Sequence, residues 1–104
     1  MTEVNDANFE KEVIETSKIN IVMVDFFAEW CGTCKLMAPI IEELAAELAP
    51  KTIVVKANIE EAPLAAEKYS VLSLPTIILF QNGEAKKTLT GPQAKENILE
   101  LLQN

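Results

Sequence analysis

An α/β domain built on a mixed sheet is the fold class that this 104-residue chain predicts. Three observations carry it. Apolar runs rich in β-branched residues alternate with segments of helical period. Asn82-Gly83 between two strand-like runs signals an antiparallel hairpin, and a last amphipathic segment follows that hairpin.

Thr2–Val4 reads as a short first strand, after which Asn5 or Asp6 caps a helix with Phe9 and Val13 at i, i+4 and an end near Thr16. Ile19–Phe27 is almost continuously apolar, as a central strand covered on both faces must be. From Cys31 to about Leu48 the apolar residues Leu36, Ile40, Ile41, Leu44 and Leu48 fall at helical spacing, with Pro39 expected to kink the helix rather than end it. Thr52–Asn58 is a second buried strand and Ala62–Tyr69 a short helix. Thr76–Gln81 and Glu84–Thr90 form the hairpin, and Gly91-Pro92 precedes a final helix over about 93–102, with Ile98, Leu101 and Leu102 inward. Parallel units followed by a hairpin give a mixed sheet with helices on both faces.

No linker, repeat or low-complexity block divides the chain, so residues 1–104 are expected to form one domain. The net charge is −7, and all nine basic residues are Lys. Neither nucleic acid nor an anionic membrane is an expected partner, because both need clustered positive charge. Met1 to Asp6 carries no basic n-region and no apolar h-region, and the apolar stretches Ile21–Val24 and Ile77–Phe80 are far too short to span a bilayer. A reducing cytoplasm is the expected compartment, where a cysteine pair points to catalysis rather than stapling.

The chain's two cysteines stand in Trp30-Cys31-Gly32-Thr33-Cys34-Lys35, where a strand gives way to a helix. A helix starting at Cys31 places unpaired N–H groups and the positive end of its dipole beside the first sulfur, favouring thiolate over thiol. Cys34 follows one turn later on the same face, close enough to attack a disulfide formed at Cys31. A structural staple is a poor reading, since closing so short a loop is worth only about 2 kcal/mol in chain entropy. A closed zinc site within one chain is excluded, because two cysteines and no histidine cannot supply four N/S ligands. A metal or cluster shared between two chains and a chance spacing are the remaining alternatives.

Asp25 is the single carboxylate in the first central strand, six residues before Cys31. Burial would push its pKa toward neutrality and make it a proton acceptor for Cys34, directly or through a water. The bland alternative is a strand-end Asp turned to solvent. Lys56 interrupts the second buried strand in the same way, so it either faces Asp25 or snorkels to the sheet end. Pro75 opens a strand, where no ladder donor is required of it, and Trp30 suits a contact surface beside a reactive cysteine.

Taken together, Val24-Asp25-Phe26, Ala28-Glu29-Trp30-Cys31-Gly32, Cys34-Lys35, Leu74-Pro75-Thr76, Asn82-Gly83 and Gly91 resemble the thioredoxin family over essentially the whole chain. The resemblance implies a thioredoxin fold, with a five-stranded mixed sheet flanked by four helices and a cis Pro75 facing the cysteines. It implies a monomeric protein-disulfide reductase that uses no cofactor or metal beyond a redox-active Cys31–Cys34 disulfide. Its substrates are disulfide-containing proteins, and a thioredoxin reductase recycles it. By position, Cys31 looks like the exposed attacking thiolate, Cys34 the buried resolving thiol, Asp25 the buried carboxylate and Lys56 its nearby lysine. Trp30, Gly32, Ile59, Leu74, Pro75 and Gly91 match the family's substrate-contact surface, with Leu74 offering backbone hydrogen bonds to an extended segment.

Thr33 stands where the family usually has Pro, and Ser73 and Pro92 also change the contact surface. Thr33 keeps a backbone N–H near the Cys31 sulfur, which would stabilise the dithiol form. An oxidant or isomerase on the same fold and a non-enzymatic binding subunit are the alternative functions.

Overall fold

The computed structural model describes residues 1–103. The element order is β1 (Glu3–Val4), an N-terminal π-type helix (Glu10–Glu15) running into a 3₁₀ turn (Thr16–Lys18), β2 (Ile21–Phe27) and α1 (Gly32–Leu48). Then come β3 (Thr52–Asn58), α2 (Pro63–Lys68), β4 (Thr76–Gln81), β5 (Glu84–Thr90) and α3 (Lys95–Glu100). The five strands form one sheet in the order β1-β3-β2-β4-β5, parallel among the first three and antiparallel at β2–β4 and β4–β5. This is the thioredoxin fold, an α/β mixed sheet with four helical elements.

The alternation of side chains along β2 divides the core. Val22, Val24 and Phe26 face the N-terminal helix and α2, packing with Phe9, Val13, Ala65 and Phe80. Met23 faces the other way, against Met37, Ile41 and Leu44 of α1 and Ile98 and Leu101 of α3. Asp25 shares the parity of Met23, so its side chain is directed to the α1 side of the sheet. In β3 the register pairs Asp25 with Lys56, which therefore stands on that same face.

Several boundaries differ from the pattern in the sequence. β2 starts at Ile21, and Ile19 is 87% exposed. The N-terminal helix is wound more widely than an α-helix, which brings Phe9, Val13 and Ile14 to one side. On α1 the buried residues are Cys34, Met37, Ile41 and Leu44, while Leu36 is 79% exposed. Leu36 is only two residues beyond Cys34, about 200° around the helix, so it cannot share the inward face. The helix runs unbroken through Pro39. Asn82 and Gly83 both have positive φ, as a type I′ hairpin requires.

Neither Asn5 nor Asp6 caps the N-terminal helix, whose cap position is Phe9 with no side-chain bond; Asn5 instead closes the turn leading into it, its N–H donating to Asn8 Oδ1 at 2.8 Å and Asn8 N–H donating to Asn5 Oδ1 at 3.0 Å. Asp6 serves a different helix, accepting from the N–H groups of Leu64 and Ala65 at 2.9 and 3.0 Å, at the start of α2. The end of α2 is closed by Ser70 at φ 56, with Ser70 N–H donating to Glu67 O and Val71 N–H to Ala66 O. This closure turns the chain into the segment that reaches the cis Leu74–Pro75 bond; a second cis bond lies at Ala49–Pro50.

Asp6→Ala removes both acceptors from the first turn of α2. It should cost about 1–2 kcal/mol, read from urea unfolding, with no change in the pH dependence of disulfide exchange.

Candidate active site

The turn after β2 closes with Cys31 N–H donating to Ala28 O at 3.1 Å, and α1 begins one residue later. Cys31 is thus the cap of α1 rather than its first helical residue, with extended backbone at φ −87° and ψ 106°. Its sulfur occupies the place of a capping oxygen: Cys34 N–H donates to Cys31 Sγ at 3.1 Å, and Thr33 Oγ1 lies 3.4 Å from it. A negative sulfur here meets an amide donor, a hydroxyl and the positive end of a 17-residue helix.

Cys31 and Cys34 form a disulfide with a Cα–Cα distance of 5.3 Å, and no other cysteine exists in the chain. Ala28, Phe27, Ile59 and Leu74 pack around it. The expected contrast between an exposed Cys31 and a buried Cys34 is corrected, for the two are 7% and 6% exposed. Their difference lies in surroundings: Cys31 is bound to the helix mouth, whereas Cys34 lines a cavity of about 240 Å³ beneath the helix.

Asp25, Phe27, Glu29, Lys35, Glu42 and Lys56 also line that cavity. Asp25 does not turn to solvent. Its Oδ1 is buried and has no hydrogen-bond partner among the described residues. Burial pushes its pKa up from 3.8 to about 6, with the positive charge of Lys56 acting in the opposite sense. Lys56 neither caps the carboxylate directly nor simply snorkels away. Its ammonium lies 3.9 Å from Glu3 Oε1 and 5.5 Å from the centre of the Phe27 ring, still near enough to act on Asp25 through space.

The rest of the expected contact surface divides in two. Trp30 is 67% exposed, Gly32 and Thr33 are open, and Ile59 and Leu74 are half-buried against the disulfide. Pro75 is buried, so it supports the surface from below. Its carbonyl accepts from Gly91 N–H at 2.8 Å, which ties the turn after β5 to the cis peptide, and Gly91 takes φ 79° there. The contact from Thr33 to sulfur is made by its hydroxyl, while the amide donor is that of Cys34. Sequence reasoning missed Glu3, because only the parallel pairing of β1 with β3 sets it opposite Lys56. It also missed Phe27 and Ala28, whose apolar character is shared by the whole strand. Among the described residues no group of three or more His, Cys, Asp or Glu is placed to hold a metal ion.

A Cys-x-x-Cys disulfide at a helix cap, over a cavity holding a carboxylate of raised pKa, defines a thiol–disulfide oxidoreductase. The Thioredoxin family model matches residues 1–104. The chain is 48% identical over 97 residues to a thioredoxin of Rickettsia felis, covering 93% of this chain and 90% of that one. It is 41% identical over 102 residues to a thioredoxin of Staphylococcus aureus, covering 98% and 94%. The chain belongs to the thioredoxin family, and its chemistry is dithiol–disulfide exchange with disulfide-containing substrates.

Because the fold favours the neutral form of Asp25, the corresponding stability is full below about pH 4 and is lost as pH rises through about 6. Asp25→Asn, neutral at every pH, should therefore match the parent at pH 4 and be about 2–3 kcal/mol more stable at pH 8 by urea unfolding. Thr33→Val and Thr33→Pro both remove the hydroxyl contact to Cys31 Sγ. Each should make the reduction potential more negative, by about 10–30 mV, in equilibration against glutathione; a rise would contradict the assignment.

Proposed function

We propose that this protein reduces disulfides of other proteins, with Cys31 as attacking thiolate and Cys34 as resolving thiol. The sulfur of Cys31 displaces one substrate sulfur as a thiolate and forms a mixed disulfide. Asp25 takes the proton of Cys34 across their shared cavity, directly or through water. The Cys34 thiolate then attacks Cys31 Sγ, the second substrate sulfur leaves, and the Cys31–Cys34 bond retains the two-electron oxidation. The observation that carries this division of labour is that Cys34 and Asp25 line one cavity while Cys31 receives the helix donors. That cavity is polar and roomy enough for water.

Trp30, Ile59, Leu74 and Gly91 form the face on which an extended substrate segment lies, with Leu74 offering its backbone and Pro75 underpinning the turn. Gly32 leaves that face open, since a Cβ there would meet nothing within 4 Å. Thr33 and Lys56 tune the potential and the carboxylate respectively. A thioredoxin reductase returns the dithiol, and the working form is a monomer in the cytoplasm. No helix among the described residues is long and apolar enough to cross a membrane. The hydroxyl contact from Thr33 supports a second reading, an oxidant or isomerase, because it stabilises the reduced form. Insulin reduction coupled to a thioredoxin reductase separates the two directions.

Cys34→Ser should accumulate a mixed disulfide through Cys31 when mixed with a disulfide substrate, visible as a covalent adduct without reductant. Cys31→Ser should accumulate none. An adduct on Cys34 instead would reverse the roles.

A further inference from the structure

We propose that Glu3 is a positioning residue which, through Lys56, sets the pH at which Asp25 ionises. The consequence for catalysis rests on the reading that Asp25 receives the proton of Cys34. β1 is only two residues long, yet its pairing with β3 places Glu3 directly opposite Lys56, and Lys56 N–H donates to Thr2 O at 3.0 Å. In the next register position of the sheet, Lys56 is opposite Asp25. One lysine therefore stands between two carboxylates, with its ammonium 3.9 Å from Glu3 Oε1 and outside ion-pair distance of Asp25, whose Oδ1 is unpartnered among the described residues.

Two effects of Glu3 add in the same direction. Its attraction holds the ammonium of Lys56 toward the sheet edge and away from Asp25, and its own negative charge adds a weaker direct repulsion that does not require Lys56. Both keep Asp25 protonated to higher pH. Other charged residues lining the cavity are Glu29 from the turn after β2 and Lys35 and Glu42 from α1, and Met1 lines it as well. β4 contributes only Ile77 opposite Asp25. Among the described residues Lys56 forms an ion pair with Glu3 and with none of these groups, so the link is specific to β1. Both partners are about two-fifths exposed, which screens the effect and keeps it small.

The ¹³C carboxyl titration of Asp25 in the oxidised full chain reads this link without reference to catalysis. Glu3→Gln should lower the midpoint by about half a pH unit, and Lys56→Met should raise it. In the Lys56→Met background, Glu3→Gln should move the midpoint less than half as far. Glu3→Asp, which keeps the charge but shortens the reach, should fall between Glu3→Gln and the parent. An unchanged midpoint in Glu3→Gln overturns the proposal, as does an equal shift with and without Lys56. Thermal melting confirms that each variant is folded. The pH profile of mixed-disulfide resolution should follow the titration. If the titration moves as stated and that profile does not, the role of Asp25 as proton acceptor fails while the Glu3–Lys56 link stands.

Discussion

The position of Cys31 at the cap of a long helix is the constraint from which the rest of the site follows. A cap side chain must accept from the N–H groups of the first turn, and here the acceptor is sulfur, bonded by Cys34 N–H. The helix is held in place by Met37, Ile41 and Leu44 against Met23, Val54 and Ile77 of the sheet. Burying each such side chain is worth about 1.5–3 kcal/mol, so three of them offset the roughly 3 kcal/mol that an interior Pro39 costs. Lys95 of α3 reaches both Glu43 and Glu47, adding a polar tie on the outer side.

Beneath that helix the protein tolerates a polar group that the core would exclude on stability grounds alone. Asp25 has a buried oxygen without a partner, and Lys56 opposes rather than cancels the effect of burial. An apolar or amide residue at this place would fit the sheet better. Under the proposed function, a carboxyl whose pKa burial raises to about 6 is the compensation, because it can exchange a proton closer to physiological pH than an ordinary Asp. The same carboxyl lines one cavity with Cys34.

The surface around the disulfide is assembled from three separate turns. The segment after β2 supplies Trp30, the segment before β4 supplies Leu74 and Pro75, and the turn after β5 supplies Gly91. They converge because β2 and β4 are antiparallel neighbours and β5 returns beside β4, with the Gly91–Pro75 hydrogen bond joining the last two. Thr33 adds to this surface a hydroxyl 3.4 Å from the Cys31 sulfur, a group that a proline lacks.

The order of strands and helices, the hairpin at Asn82-Gly83, the cysteine pair and the anomalous Asp25 were all legible from residue type and spacing, because periodicity and local chain chemistry act over a few residues. Boundaries were less so: Ile19 and Leu36 are apolar yet exposed, since burial depends on what packs above a position. Tertiary structure alone decided which helix Asp6 caps, which donor reaches the Cys31 sulfur and which carboxylate holds Lys56. Asp6 and Leu64 are 58 residues apart in sequence, and strand pairing brings Glu3 to Lys56 across a similar span. Such contacts depend on register and on the packing of helices against the sheet, which no local pattern encodes.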